Sequence, residues 1–502
     1  MQLEHDPGRM MRRIPFAIRL ALLPLLFAAG PTYAARTLGT LQFEPCTLSA
    51  PGLPVTVAAQ CSSLEVPEDR DRPQARRIRL ALAWIPTDAR QPQPDPVFML
   101  AGGPGQSALQ SFPSVAAAFG DILRQRNVIL VDQRGTGGSN PLTCRDTEDS
   151  KAVREDEAGN PEVARHAAAQ CLNELAADPR FYTTSDAVTD LEAVRRAIGA
   201  PQINLVGVSY GTRVAQEYLR RYPATARTVV LDGVVPPGLA LGSEHARNLE
   251  TAVNAQFARC AAEPACAKRY GAPRQGLDDL LARLRRAPQQ VRFRDPLTNE
   301  PREATLTAGT VSGVVRLYAY APQLFAMLPL SLAEASAGRP EAFMAQATMI
   351  ESLVGEQITH GLELSVICSE DADLLRPDPL DKDTLMGAAF VDAIKAQCAA
   401  WPRGRMPADF HQPVRSSRPA LLFSGEFDPA TPPRYGEQVA RNLPNGRHLV
   451  LRGQGHNVMA VGCAPRLMAQ FVARADARSL DAKCLDQLIY TPAFTGAYGW
   501  EP

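Results

Sequence analysis

The sequence predicts a protein of the α/β class, a mostly parallel central sheet flanked by helices and interrupted late in the chain by a mainly helical insertion. Three observations lead there. From about residue 76, short β-rich runs alternate with helix-like stretches, and several of those runs end in Gly or Asp turns. Between about residues 239 and 418 the alternation gives way to a mainly helical pattern dominated by Ala, Leu, Arg and Glu. A stretch rich in Pro and Arg, residues 402–419, then returns the chain to strand-like text.

In chain order the first element is a leader. Arg9, Arg12, Arg13 and Arg19 precede an apolar run at residues 20–29, and Thr32-Tyr33-Ala34 follows with small residues at the cleavage-type positions. That is the pattern of a secretory signal peptide over residues 1–34. A membrane anchor would need about 20 apolar residues, well beyond this run. The Arg12-Arg13 pair suggests a twin-arginine signal, but the residues after it fit that signal poorly. The first part of the core, 35–238, carries the strand candidates 78–84, 96–101, 128–132, 203–206 and 228–232. The insertion, 239–418, is read as a helical cap domain, and the second part of the core, 419–502, adds the strand candidates 420–424 and 448–452. In such sheets ligand chemistry sits at the carboxyl ends of the strands, so the residues just after each run matter most.

Composition fits this reading and narrows the function. The chain has 502 residues, 45% hydrophobic and 21% charged, as an ordinary globular protein does. Single cores stop growing at about 250–300 residues, so this length calls for a second domain or a large insertion. Lys plus Arg and Asp plus Glu both total 53, which leaves no net field toward nucleic acid or an anionic membrane. The expected partner is a small or neutral molecule, and after signal removal no segment is apolar enough to span a bilayer.

Ten cysteines point to an oxidising compartment, periplasmic or secreted. They fall into sequential neighbours: Cys46 with Cys61, Cys144 with Cys171, Cys260 with Cys266, Cys368 with Cys398, and Cys463 with Cys484. Short loops close at low entropic cost, so this is the preferred pairing among those the count allows. No C-x2-C spacing suggests zinc, and no metal or cofactor is expected.

The chemistry lies after three strands. The run 203–206 leads into Gly207-Val208-Ser209-Tyr210-Gly211 and then a helix-compatible stretch. Strand, sharp turn and helix make a nucleophile elbow, in which flanking glycines relieve a tight turn and the helix N-terminus favours developing negative charge. A serine hydroxyl needs a base, and the base needs an orienting acid, which follow in the order Ser, Asp or Glu, then His. After 420–424 comes Gly425-Glu426-Phe427-Asp428-Pro429-Ala430-Thr431-Pro432; after 448–452 comes Gly453-Gln454-Gly455-His456. Of the seven histidines only His456 has that setting. Glu426 competes with Asp428 for the acid's role; the shorter side chain, followed by Pro429, makes the more rigid carboxylate. Donors for a tetrahedral oxyanion are expected from the Tyr210 amide and from Gly103 or Gly102, in Ala101-Gly102-Gly103-Pro104-Gly105 after the strand candidate 96–101. Asp132-Gln133-Arg134-Gly135-Thr136-Gly137-Gly138-Ser139 lacks the lysine and spacing of a phosphate loop and reads as a brace for the site. Together these loops predict a serine hydrolase of the α/β-hydrolase fold.

The same residues resemble the family of prolyl iminopeptidases and tripeptidyl aminopeptidases. The resemblance rests on the G-G-P-G segment, D-Q-R-G-x-G-x-S at 132–139, Tyr182-Thr183-Thr184 leading to Asp190-Leu191-Glu192, G-V-S-Y-G-T at 207–212, and the Asp428 and His456 loops. It runs from about Leu64 to Cys484, and the late loops and paired cysteines look most like the secreted tripeptidyl aminopeptidase branch. Prolyl iminopeptidases carry His where this chain has Ala101 and Trp where it has Tyr210, so proline specificity is not implied. The resemblance implies an aminopeptidase that releases one or a few residues from small peptides with a free N-terminus, the amine held by carboxylates. Glu370, Asp371 and Asp373 are the candidates; a solvated acidic turn is the plainer alternative for that cluster. A carboxylesterase or lipase would use the same triad, because the fold does not choose between ester and amide.

Overall fold

The computed structural model describes residues 35–144, 160–354 and 358–500; the expected leader, residues 1–34, lies outside them. Among the described residues the strands are β1 (Arg36–Leu38), β2 (Leu41–Ser49), β3 (Thr56–Pro67), β4 (Arg77–Ile85), β5 (Val97–Leu100), β6 (Val128–Val131), β7 (Ile203–Val208), β8 (Ala226–Asp232), β9 (Gln289–Arg294), β10 (Pro301–Leu306), β11 (Ala420–Gly425) and β12 (Gly446–Leu451). Ten of them form one sheet in the order β1-β2-β3-β4-β6-β5-β7-β8-β11-β12. From β6 to β12 every pairing is parallel, while β1 to β4 and the β4–β6 junction are antiparallel.

The apolar runs explain why β5, β6, β7, β8 and β11 lie in the interior of the sheet, while the parallel strand β12 forms its edge. Side chains alternate between the two faces of a strand, so a run apolar throughout must be covered on both sides. Leu80, Leu82, Phe98, Ile129, Leu205, Leu231 and Leu422 enter one apolar cluster. Their neighbours in sequence, Ala83, Met99, Leu130, Val206, Val230, Leu421 and Phe423, enter the other. The chain crosses between strands through helices such as Thr184–Ala197 and Tyr210–Arg221. Thr183 caps the first of these with a capping box to Asp186, and the second follows Ser209 directly.

Residues 239–418 lie between β8 and β11, which are paired neighbours in the sheet. This segment divides by its packing. Leu249, Val253, Phe257, Leu277, Leu281, Val315, Leu328 and Phe343 build a third apolar cluster, which includes both strands of the β9–β10 hairpin through Val291, Phe293 and Leu306. The helices His360–Glu370 and Ala389–Ala400 instead share the first cluster through Leu362, Val366, Val391 and Ile394. The ten cysteines are bonded in five sequential pairs: Cys46–Cys61, Cys144–Cys171, Cys260–Cys266, Cys368–Cys398 and Cys463–Cys484. Among the described residues no helix is long and apolar enough to cross a membrane.

Candidate active site

Four loops meet at the carboxyl edge of the parallel strands. Ser209 follows β7 with φ 55° and ψ −123°, a conformation that costs a non-glycine residue on the order of 1–3 kcal/mol and that lifts its side chain out of the turn. The flanking glycines permit it: a Cβ on Gly207 would collide with the Gly211 carbonyl, and one on Gly211 with the Leu100 carbonyl of β5. The Ser209 N–H donates to the Asp232 carbonyl at 2.8 Å, tying the turn to the end of β8. Gly102 lies against Ser209, where a methyl group would stand 3.1 Å from the serine Cβ, so the Gly102-Gly103 stretch borders the hydroxyl. The Tyr210 amide opens the helix Tyr210–Arg221 directly after the serine.

The Asp428 and His456 loops come from β11 and β12. Asp428 Oδ2 lies 2.7 Å from His456 Nδ1, and both side chains are almost fully buried. The other oxygen, Oδ1, accepts from the Ala430 and Thr431 amides at 2.9 and 2.7 Å. Thr431 Oγ1 donates to Oδ2 at 2.8 Å and stands 3.1 Å from His456 Nδ1, so two groups fix one imidazole edge. Burial pushes the Asp428 carboxyl up, but the His456 charge and these hydrogen bonds outweigh it and hold it below the ordinary carboxylate value. Burial likewise pushes His456 down, and the Asp428 charge and hydrogen bond outweigh it, leaving the imidazole more basic than an exposed histidine. Glu426 is engaged elsewhere: it accepts from the Gly453 amide at 2.7 Å and from the Tyr490 hydroxyl at 3.1 Å.

Three residues that sequence reasoning did not assign to the site hold it together. Thr431 is one. Asp232 is the second: it is fully buried, and its carboxylate accepts from the Val458 and Met459 amides at 3.0 and 2.8 Å while its carbonyl holds Ser209. Burial pushes this carboxyl up to about 6, against the pull of those amides and of His456. Asp232→Asn is expected to lower kcat by between about tenfold and a hundredfold with little change in KM, because it loosens the histidine loop rather than the substrate's contacts. Steady-state kinetics beside a thermal melt will check this. Tyr320, from the 239–418 segment, is the third: its carbonyl accepts the His456 N–H at 2.8 Å and its ring meets the imidazole edge-on at 5.2 Å. The Asp-Gly at the end of β8 was a legible signal for Asp232; nothing in the sequence marked Tyr320.

The loop at 132–139 is a brace. Asp132 accepts from the Ser107 hydroxyl at 2.6 Å and from the Leu109 and Gly138 amides. Gln133 Nε2 donates to the Tyr210 hydroxyl at 3.1 Å, and the fully buried Arg134 grips Asp190 through Nε and Nη2 at 2.6 and 2.8 Å.

The acids expected to hold a substrate amine are occupied. Arg213 Nη1, on the helix after Ser209, lies 2.8 Å from Asp371 Oδ2 and 3.3 Å from Glu370 Oε2, all three side chains being buried. Glu370 Oε1 also accepts from the Thr184 amide at 2.7 Å, and Asp373 stands on the surface paired with Arg403. A substrate's ammonium would have to displace Arg213, so Glu370 and Asp371 serve as its counter-charges. Among the described residues no group of three His, Cys, Asp or Glu side chains is gathered as a metal site requires.

Comparison with known proteins agrees with this architecture. Residues 95–308 match the family described as alpha/beta hydrolase fold, and residues 383–484 match one described as TAP-like protein. Serine protease Hip1 of Mycobacterium tuberculosis is 25% identical over 489 residues, 88% of this chain and 91% of that protein. The tripeptidyl aminopeptidase of Streptomyces coelicolor is 32% identical over 192 residues, 36% of this chain and 35% of that one. Carboxylesterase B of Mycobacterium tuberculosis is 26% identical over 498 residues, 86% of this chain and 91% of that one. With one matched segment holding the Ser209 turn and the other the Asp428 and His456 loops, the chain has the α/β-hydrolase fold and is a serine hydrolase.

Proposed function

We propose that this chain is an exported peptidase that releases one or a few residues from the free N-terminus of small peptides through an acyl-enzyme on Ser209. The observation that carries the reading is the buried Asp428–His456 pair, converging through Asp232 on the strained turn that presents Ser209. In this mechanism His456 takes the Ser209 proton as the hydroxyl attacks the carbonyl carbon. Asp428 holds the imidazole in the tautomer that leaves Nε2 free and stabilises the imidazolium that forms. The Tyr210 amide, with Gly103 or Gly102, stabilises the oxyanion. His456 then returns the proton to the leaving amine, and water releases the acyl group by the same steps.

The peptide reading is supported by the TAP-like segment and by the similarity to the tripeptidyl aminopeptidase and to serine protease Hip1. Five disulfides favour an oxidising compartment, periplasmic or secreted. Similarity to carboxylesterase B over most of the chain keeps ester hydrolysis as the second reading.

The test compares p-nitroanilides of one amino acid and of a tripeptide, each with a free and an acetylated N-terminus, beside p-nitrophenyl butyrate, with Ser209→Ala as control. Turnover of the free-amine anilides alone is the expected result, and the preferred length sets the number of residues released. Turnover of the butyrate alone would replace the peptidase with an esterase.

A further inference from the structure

Arg316 belongs to the inserted segment that also carries Tyr320. It lies in the last turn of the helix Ala308–Tyr318, immediately before Tyr320, whose carbonyl and ring hold His456. Its guanidinium carbon is 5.7 Å from the centre of the Phe390 ring, and on that ring His245 packs with centroids 6.1 Å apart. All four side chains of the group, Arg316, Tyr320, His245 and Phe390, are half-buried. The Arg316 charge acts on both the Tyr320 hydroxyl and His245, and His245 also feels the charges of His456 and Asp428, so the group flanks the catalytic pair.

No carboxylate among the described residues pairs with Arg316. Asp428, whose charge reaches both Tyr320 and His245, is itself taken by His456 and Thr431. An arginine half-removed from water, bonded to the Tyr320 hydroxyl, beside the Phe390 ring and without a carboxylate partner among the described residues, suits a planar anion, because a guanidinium can donate two parallel hydrogen bonds to one carboxylate. His245 supports the same ligand: burial, with the Arg316 charge, pushes it down to about 4, so at neutral pH its ring is an uncharged donor.

We infer that Arg316, with His245, Tyr320 and Phe390, forms a subsite for a substrate carboxylate beside His456, so that the preferred peptides are acidic or present a nearby C-terminal carboxylate. This rests on the hydrolase site proposed above and adds to it the chemical class of the substrate.

The test is a panel of tetrapeptides carrying Glu or Gln at each position in turn, and a free acid or an amide at the C-terminus. Cleavage by the wild-type enzyme and by Arg316→Gln and Arg316→Lys is followed by mass spectrometry. At one position, or at the C-terminus, the carboxylate is expected to raise kcat/KM by about tenfold or more over its neutral counterpart, as a charged hydrogen bond does. That ratio should collapse toward one in Arg316→Gln and partly return in Arg316→Lys. Because the readout is a ratio within each variant, a loss of folded enzyme leaves it unchanged. A panel with no carboxylate preference, or a preference that survives Arg316→Gln, overturns the inference. If only esters are turned over, p-nitrophenyl hemisuccinate against butyrate gives the same ratio, so the subsite can stand while the peptidase reading falls, or the reverse.

Discussion

Asp428→Asn is expected to lower kcat by about four orders of magnitude while leaving the chain folded. The asparagine can keep the Oδ1 contacts that now accept from the Ala430 and Thr431 amides, so the loop retains its shape. What it loses is at Oδ2: an amide there presents N–H groups to His456 Nδ1 and favours the tautomer whose proton sits on Nε2, the wrong nitrogen for a base. The pH profile separates this from general damage. His456 is a base only when neutral, and Asp428 raises its pKa above the ordinary histidine value, so wild-type kcat/KM should climb through an acid limb above about pH 6.5. In the variant the residual activity should show that limb displaced to lower pH. For stability the sign is opposite: a raised imidazole pKa stabilises the fold fully below about pH 6.5, and the contribution is lost as pH rises through the folded value. A variant that keeps within about tenfold of wild-type kcat would place the orienting acid elsewhere, with Asp232 the next carboxylate to replace.

How much of this was legible in the sequence depended on whether burial left a pattern. All seven strand candidates occur as β4, β5, β6, β7, β8, β11 and β12; β5, β6, β7, β8 and β11, covered on both faces, read as unbroken apolar text, and β4 and the edge strand β12 keep part of that signal. The antiparallel margin β1–β3 escaped notice: β2 and β3 are exposed at many positions and carry Gln, Glu, Ser and Thr, so neither a continuous run nor a clean alternation survives. The β9–β10 hairpin was hidden inside an otherwise helical stretch: β9 alternates over only a few residues, and β10 is exposed at most positions. At the site, the loops after β7, β11 and β12 were readable because local turn chemistry marks them. Tyr320 was not, since it meets His456 from a part of the chain more than a hundred residues away in sequence. The acids Glu370 and Asp371, read as candidates for a substrate amine, show the limit of counting charges. Their partner Arg213 is about 157 positions away and lies on the nucleophile's own helix, a proximity that only the fold creates.

That arginine carries the second large effect. Arg213→Ala is expected to cost about 3–5 kcal/mol of stability at pH 8, because it strips two buried acids of their counter-charge. Arg213 also donates to the Leu239 carbonyl and lies over the Phe410 ring, so it pins the nucleophile helix both to the start of the inserted segment and to the chain that returns from it. The pH dependence follows from Glu370. Burial pushes its carboxyl up to about 7, with Asp371 adding to the rise and Arg213 pulling against it. A carboxyl whose folded pKa is raised destabilises the fold as pH climbs from the unfolded value toward about 7, and protonation relieves the strain below it. Without Arg213 the folded value rises further, so the deficit of the variant should be largest near pH 8 and shrink toward pH 5. Urea unfolding at the two pH values measures this directly. Combining Arg213→Met with Glu370→Gln and Asp371→Asn should recover most of the loss, since neutral groups of similar shape need no counter-charge. Equal midpoints for wild type and Arg213→Ala at pH 8 would mean that the ion pair adds nothing to stability and that the nucleophile helix is held by its apolar contacts alone.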